Sequence, residues 1–172
     1  NTLKSAVGEV AAFEISPILR LQIDSPQLGR FYKRNGHKGR IKPEDLCCWL
    51  SNKNDILAAL RICEISPDVH ILRGMWVSKR NRRQGIGGEL IRTFITKNRQ
   101  LAERLFCFAY PESAGFYLKH GFISSNESEV PKQVYVKWKN YSQRGQITVL
   151  MRYKREGIPE SSHSINTFPE AT

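Results

Sequence analysis

The sequence predicts a single α/β domain. Its 172 residues suit one domain with a sizeable core and are short for two. Apolar runs rich in β-branched and aromatic residues alternate with segments whose apolar residues recur at helical spacing. At 40% hydrophobic and 25% charged residues, the composition is that of a soluble globular protein. No apolar run approaches the roughly 20 residues of a transmembrane helix, so no membrane partner is expected. The opening "NTLKSAVGEVAAFEI" lacks a basic segment followed by an apolar one, and the absence of an initiating Met reads as a processed start. A cytoplasmic location follows as the expectation.

Taken in order, "AAFEISPIL" opens as a strand, and Ser25 to Lys42 is turn-rich and basic with at most a short helix around Leu28 to Lys33. "DLCCWLSNKNDILAALRICEI" reads as two apolar strands around the polar turn Ser51 to Asp55, although its Ala-Ala-Leu segment also suits helix. "DVHILRGMWV" is a strand, and Leu90, Ile91, Phe94 and Ile95 predict a helix from about Gly88 to Arg99. "RLFCFAY" is a strand stopped by Pro111, and "ESAGFYLKHG" a short helix closed by Gly121. "QVYVKWK" and "QITVLMRYK" read as two last strands around "NYSQRG". Trp49, Trp76 and Trp138 are thereby all placed in strands, as packing residues. The boundaries are a domain over 1–155 and a loose tail over 156–172, where Gly, Pro, Ser and Thr dominate.

Cys47, Cys48, Cys63 and Cys107 show no CxxC spacing and lie in apolar runs, which favours buried free thiols and no metal site. The net charge of +11 recruits phosphates, acidic ligands or polyanions. Much of it is clustered: residues 30–42 hold six Lys and Arg with no acid, and 79–83 hold four.

The second cluster runs into "RNRRQGIGGEL", residues 80–90, between a strand ending at Val77 and a helix. A helix N-terminus offers unpaired N–H groups and partial positive charge, and glycines let a phosphate approach the main chain. Arginines add forked hydrogen bonds to phosphate oxygens. Together they make a pyrophosphate cradle. No GK[ST] follows, so it is not a P-loop, and the hairpin before it is not the first strand of a dinucleotide-binding βαβ unit. A tight turn needing Gly for its backbone angles is the structural alternative.

From Val77 through Arg82 to Gly85 and Gly87, the stretch resembles the acetyl-CoA motif of the GCN5-related N-acetyltransferases (GNAT family). "AGFYLKHGF", residues 114–122, is similar to that family's second motif. The resemblance covers residues 46–122 and, by pattern, the final strand pair. It implies a GNAT-like mixed sheet, splayed between the strand ending at Val77 and "RLFCFAY", flanked by helices, with acetyl-CoA as cosubstrate in the gap.

Residue by residue, the resemblance implies that the main chain of Met75 and Val77 pairs with the pantetheine arm. Arg82 belongs to the motif, and the amides of Arg83, Gln84, Gly85, Ile86, Gly87 and Gly88 hold the pyrophosphate. Met75 N–H faces the thioester carbonyl as oxyanion donor. Tyr117 lies near the sulfur as general acid toward the CoA thiolate, against the alternative of a core tyrosine beside Phe116. Lys119 reaches a cofactor phosphate or is solvated. Two positions depart from the family pattern. Tyr110 stands where many members have Asn, and no carboxylate lies on the strand before the first motif. By alternation, one face of that strand presents Ile71, Arg73 and Met75, with His70 facing away. Glu64, Glu112, His37 or a water chain are the substitutes for the base.

The implied activity is direct transfer of an acetyl group to a primary amine of a small molecule or peptide, in a ternary complex. No partnered His accompanies Cys63 or Cys107, which argues against a covalent enzyme intermediate. The net charge leaves nucleic acid open as a partner, in a basic module acetylating aminoacyl-RNA or a bound protein. A CoA-binding fold without catalysis also stays open. Arg73, expected in the groove, calls for an acceptor with a carboxylate or phosphate near its amine. The acceptor's identity and the oligomeric state are not readable.

Overall fold

The computed structural model describes residues 13–15, 19–20, 26–53 and 55–154. The expected tail over 156–172 and most of the chain before Pro26 lie outside these. Strands β1 (Phe13–Ile15), β2 (Leu19–Arg20), β3 (Leu46–Asn52), β4 (Asp55–Ser66), β5 (Val69–Val77), β6 (Leu105–Ala109), β7 (Phe122–Ser124) and β8 (Val149–Tyr153) form one mixed sheet in the order β1-β3-β4-β5-β6-β8-β7, with β2 also on β3. The β5–β6 pair is parallel; the other pairs are antiparallel.

The expected hairpin is β3–β4, and β4 is central enough to bury an unbroken run from Ile56 to Cys63. Both faces of the sheet are covered. Helix α1 (Pro26–Arg34) starts with proline at its first position, where no intrahelical N–H bond is lost. It buries Leu28, Phe31 and Tyr32, one helical face, against Cys47, Ile56 and Ala59. Helix α2 (Ile86–Lys97) buries Leu90, Ile91 and Phe94 on the opposite sheet face with Leu60, Ile62 and Leu72, and the short α3 (Arg99–Ala102) follows. Helix α4 (Ala114–Lys119) joins that core through Tyr117, and Gly121, at φ +88°, lets the chain leave it and enter β7.

One expected element is of the other type. "QVYVKWK" belongs to helix α5 (Lys132–Gln143), so Trp138 is a helix residue and there is no final hairpin. Its β-branched and aromatic residues mimic a strand pattern, but Val134, Tyr135 and Trp138 form one helical face packed on Ile71, Phe106 and Leu150, while Val136 is left exposed. Strand preference reflects fit to a half-buried pleat, and packing overrides it here. Strand β8 then inserts between β6 and the unforeseen three-residue β7.

Candidate functional site: the β5–β6 gap

Strands β5 and β6 pair at His70–Leu105, Ile71–Phe106 and Leu72–Cys107, and the pairing ends there. At the same level β5 breaks register with β4: Ala59 faces Trp76 and Arg61 faces Arg73, so Gly74 and Met75 together oppose Leu60 alone. This is a bulge, and Gly74 carries it at φ +57°. A Cβ at Gly74 would also fall 2.6 Å from Arg61 Nε, so glycine is required twice.

The bulge corrects one sequence expectation. Ile71 packs under α5, whereas Met75 packs in the α2 core, so Met75 does not share a face with Ile71 and Arg73. Strict alternation fails because the extra residue reverses the parity of everything after it. A glycine inside the strand pattern was the available signal.

On the α2 side the motif residues converge. A Cβ at Gly87 would stand 3.1 Å from Val77 Cγ2, 3.3 Å from Met75 Cε and 3.6 Å from Phe116 Cε2. The helix start, the end of β5 and the residue beside Tyr117 therefore meet at one place. A bulky residue at Gly87 would thus crowd Val77 and Met75 as well as obstruct a ligand. Arg83 at φ +63° and Gly85 at φ +78° bend the loop into α2, and no side chain caps the helix. Its first N–H groups, those of Ile86, Gly87 and Gly88, lack intrahelical acceptors by construction of any helix. Arg82 is already engaged: its Nε donates to Val77 O at 3.1 Å and its guanidinium lies 5.1 Å from the Trp76 ring centre. Gln84 reaches back to Arg80 O at 3.5 Å, and Lys119 is exposed.

Tyr117 is buried, ring-edge on to Phe116 and Phe122. Burial holds its phenol well above the ordinary tyrosine range, with smaller contributions from Cys107 and Tyr32, so the hydroxyl stays protonated. Burial likewise raises the Cys107 thiol far above its usual range and Cys47 to about 12, which removes both as thiolate nucleophiles. Cys63 is buried too.

On the other face, between α1 and α5, a cavity of about 470 Å³ opens at the bulge, lined among others by His37, Arg61, Arg73, Trp76, Tyr110 and Tyr141. Tyr32, which the sequence did not single out, donates its hydroxyl to Gly74 O at 2.7 Å. Because a trans peptide holds C=O and N–H on opposite sides, this bond also fixes the direction of Met75 N–H. His37 sits between the rings of Tyr32 (4.7 Å) and Trp76 (4.9 Å). Its Nδ1 accepts Gly39 N–H at 3.0 Å, and burial together with the Arg61 charge lowers its pKa, so the ring is neutral with its proton on Nε2.

Of the other base candidates, Glu64 lies opposite His70, whose Nε2 is 3.6 Å from its carboxylate, at the far end of β5 from the bulge. Glu112 is exposed in the turn before α4. Among the described residues no carboxylate lines the cavity and no group of His, Cys, Asp and Glu could hold a metal ion. No helix among them is long and apolar enough to cross a membrane.

A family model described as the acetyltransferase (GNAT) domain matches residues 44–124. The chain carries a GNAT domain. Its splayed sheet is shared by N-acetylglutamate synthase from Neisseria gonorrhoeae, solved with coenzyme A and N-acetyl-glutamate (TM-score 0.63, 16% identity, 83% of this chain and 35% of that one). The chain thus spans about a third of that relative's length. A putative N-acetyltransferase from Lactobacillus plantarum matches with TM-score 0.61 at 13% identity, covering 83% of this chain and 97% of the other. Ard1 from Thermoplasma volcanium matches with TM-score 0.57 at 16% identity, covering 84% and 99%. No curated protein matches the chain in sequence. The cosubstrate of a GNAT domain is acetyl-CoA, and the residues present fit it: an uncapped, glycine-lined helix start sits against a strand whose partner has parted from it.

Proposed function

We propose that the chain is an acetyl-CoA-dependent N-acetyltransferase that moves an acetyl group to a primary amine by direct attack in a ternary complex. The observation that carries this reading is the bulge at Gly74–Met75, where the helix-start cradle and the cavity between α1 and α5 meet. Bound in the gap, acetyl-CoA supplies an activated acyl group and a thiolate leaving group. The main chain of Met75 and Val77 holds the pantetheine arm, and the amides from Arg83 through Gly88 hold the pyrophosphate. Arg82 acts on this loop from beneath, by tying it to Val77 O and Trp76.

Met75 N–H, aimed by Tyr32 through the Gly74 carbonyl, donates to the oxygen on which negative charge develops. Tyr117 O–H, kept protonated by burial, gives its proton to the departing sulfur. The amine enters from the cavity side as its free base. With no carboxylate there, its surplus proton leaves to water at the cavity mouth, and Tyr117 regains a proton from solvent once the products leave. His37 is set to donate from Nε2 rather than to accept.

The test is Tyr117→Phe, which keeps the ring packed on Phe116 and Phe122 and removes only the hydroxyl. Thiol release should fall about a hundredfold, mostly in kcat, at unchanged acetyl-CoA affinity and with Tm within a few degrees. Equal turnover by the variant would make Tyr117 a core residue. Tight acetyl-CoA binding by the parent without turnover of any amine would favour a binding fold without catalysis.

A further inference from the structure

Arg61 and Arg73 stand directly opposite each other on antiparallel β4 and β5, and both line the cavity. Like charges in that position repel. Arg61 is 4% exposed and is balanced on one side: its Nη1 donates to Asp45 Oδ2 at 2.9 Å and to Arg40 O at 2.8 Å. Its buried Nε has no hydrogen-bond partner. Arg73 has no carboxylate partner among the described residues. What it has is Tyr141, which accepts a hydrogen bond from Nη2 and offers its ring 5.5 Å from the guanidinium. A neutral phenol orients a guanidinium and leaves its charge uncompensated.

The remaining lining has the same sign. Lys38 adds a cation, His37 presents Nε2–H, and no Asp or Glu contributes. A purely cationic molecule is repelled from this cavity, and a neutral one leaves Arg73 without its counter-charge. Arg73 lies two residues before Met75 on the bulged strand, roughly 6 Å along it at the rise of an extended chain. An anion on the Arg73 fork and an amine at Met75 N–H are therefore separated by only a few bonds.

We infer that the cavity is an anion subsite, and that the acceptor is a small amine bearing a carboxylate or phosphate a few bonds from its nitrogen. Arg73 is its specificity-determining residue. The planar fork pairs with either oxyanion through two parallel hydrogen bonds. A peptide N-terminus, whose neighbouring carbonyl is an uncharged amide, does not meet that requirement. The inference rests on the acetyl-transfer reading for its catalytic part, while anion binding stands independently of it.

The experiment compares matched pairs: free amino acids against their carboxamides, and phosphoethanolamine against ethanolamine. In thiol-release assays kcat/KM should be at least about tenfold higher for one anionic member than for its uncharged counterpart, the low end for hydrogen bonds to a charged group, since Arg73 is only half-buried. The two pairs separate carboxylate from phosphate. Arg73→Gln, which relieves the repulsion with Arg61, should fold with an unchanged Tm, keep its acetyl-CoA affinity and lose the preference. Arg73→Lys should restore part of it, as charge without the fork. Equal turnover of uncharged counterparts, or a preference that survives in Arg73→Gln, would overturn the inference.

If acetyl-CoA binds but no amine is acetylated, the transfer reading fails and calorimetry decides the subsite alone. Amino acids and phosphoethanolamine are titrated into the parent and into Arg73→Gln. Binding by the parent and not by the variant supports the anion subsite. No binding by the parent, or equal binding by both, overturns it.

Discussion

The two sides of the β5–β6 gap are built from different parts of the chain. On the α2 side the groups on offer are main chain: a bulged strand end, a loop with left-handed Arg83 and Gly85, and the open start of a helix, all within residues 74–88. On the α1–α5 side they are side chains brought from afar, such as Arg73 and Tyr141, 68 residues apart, and Tyr32 and Gly74, 42 apart. Main-chain recognition needs unusual φ angles and close approach, which only a few residue types permit, so its code is short and local. Side-chain recognition needs only that distant positions meet. The bulge belongs to both sides, because it aims Met75 toward one core and places Arg73 in the other cavity.

Breaking the bulge should have the largest effect. Gly74→Val puts a β-branched residue at φ +57° with its Cβ against Arg61. Backbone strain and overpacking together cost about 3 kcal/mol or more. In a chain of this length that lowers Tm by roughly 10 °C, readable in a thermal melt. Both halves should fail together: turnover is lost, and acetyl-CoA binding weakens in whatever fraction stays folded. A variant with parental Tm and turnover would show that the bulge is incidental.

Separating the halves takes a smaller change. Tyr32→Phe removes the hydroxyl that holds Gly74 O and leaves the ring in the α1 core. Stability should drop by about 1 kcal/mol, or a few degrees in Tm. If the bond aims Met75 N–H, kcat should fall about tenfold, less than outright loss of an oxyanion donor, with acetyl-CoA affinity retained. A stability loss with unchanged kcat would reduce Tyr32 to packing.

The mildest handle is pH. The raised groups, Tyr32 and Tyr117 above their ordinary value of 10.0 and Cys47 at about 12 against 9.0, hold their protons more tightly folded than unfolded. Their stabilisation is complete below about pH 9 and is lost as pH rises beyond it, because the unfolded chain releases those protons first. His37 and His70 are lowered, chiefly by burial, below 6.5. The unfolded chain gains protons there that the folded one resists, so stability declines as pH falls through 6.5. Tm should therefore plateau between about pH 6.5 and 9. Melts that keep rising above pH 10 would contradict the buried, protonated phenols.

The same local-versus-distant contrast explains what could be read from the sequence. The β3–β4 hairpin, β5, α2 and α4 carry strong apolar patterns bounded by Gly and Pro, and the cradle residues carry a compact motif. Helix α5 was hidden because Val134, Val136 and Trp138 alternate as a strand would, and only the packing of Val134, Tyr135 and Trp138 on Ile71 and Phe106 decides. Arg61 is a lone charge within an apolar run, and nothing local marks it. Its place opposite Arg73 depends on the β4–β5 register, which shifts between Glu64 and Ser66 beside the turn, and that shift is invisible without the neighbouring strand. Tyr32 lay in a short helix whose docking site no local pattern announces.

The division of labour across the gap is tested most directly by an amide- and guanidinium-resolved NMR titration, first with acetyl-CoA and then with a carboxylate-bearing amine. Acetyl-CoA should shift the main-chain amides of Met75, Val77 and residues 83–88 while leaving the Arg73 Nε–H signal nearly in place. The amine should then move Arg73 and the aromatic signals of Tyr141. Acetyl-CoA shifts concentrated on Arg73, Arg61 and Tyr141, with the amides of residues 83–88 unmoved, would contradict the account.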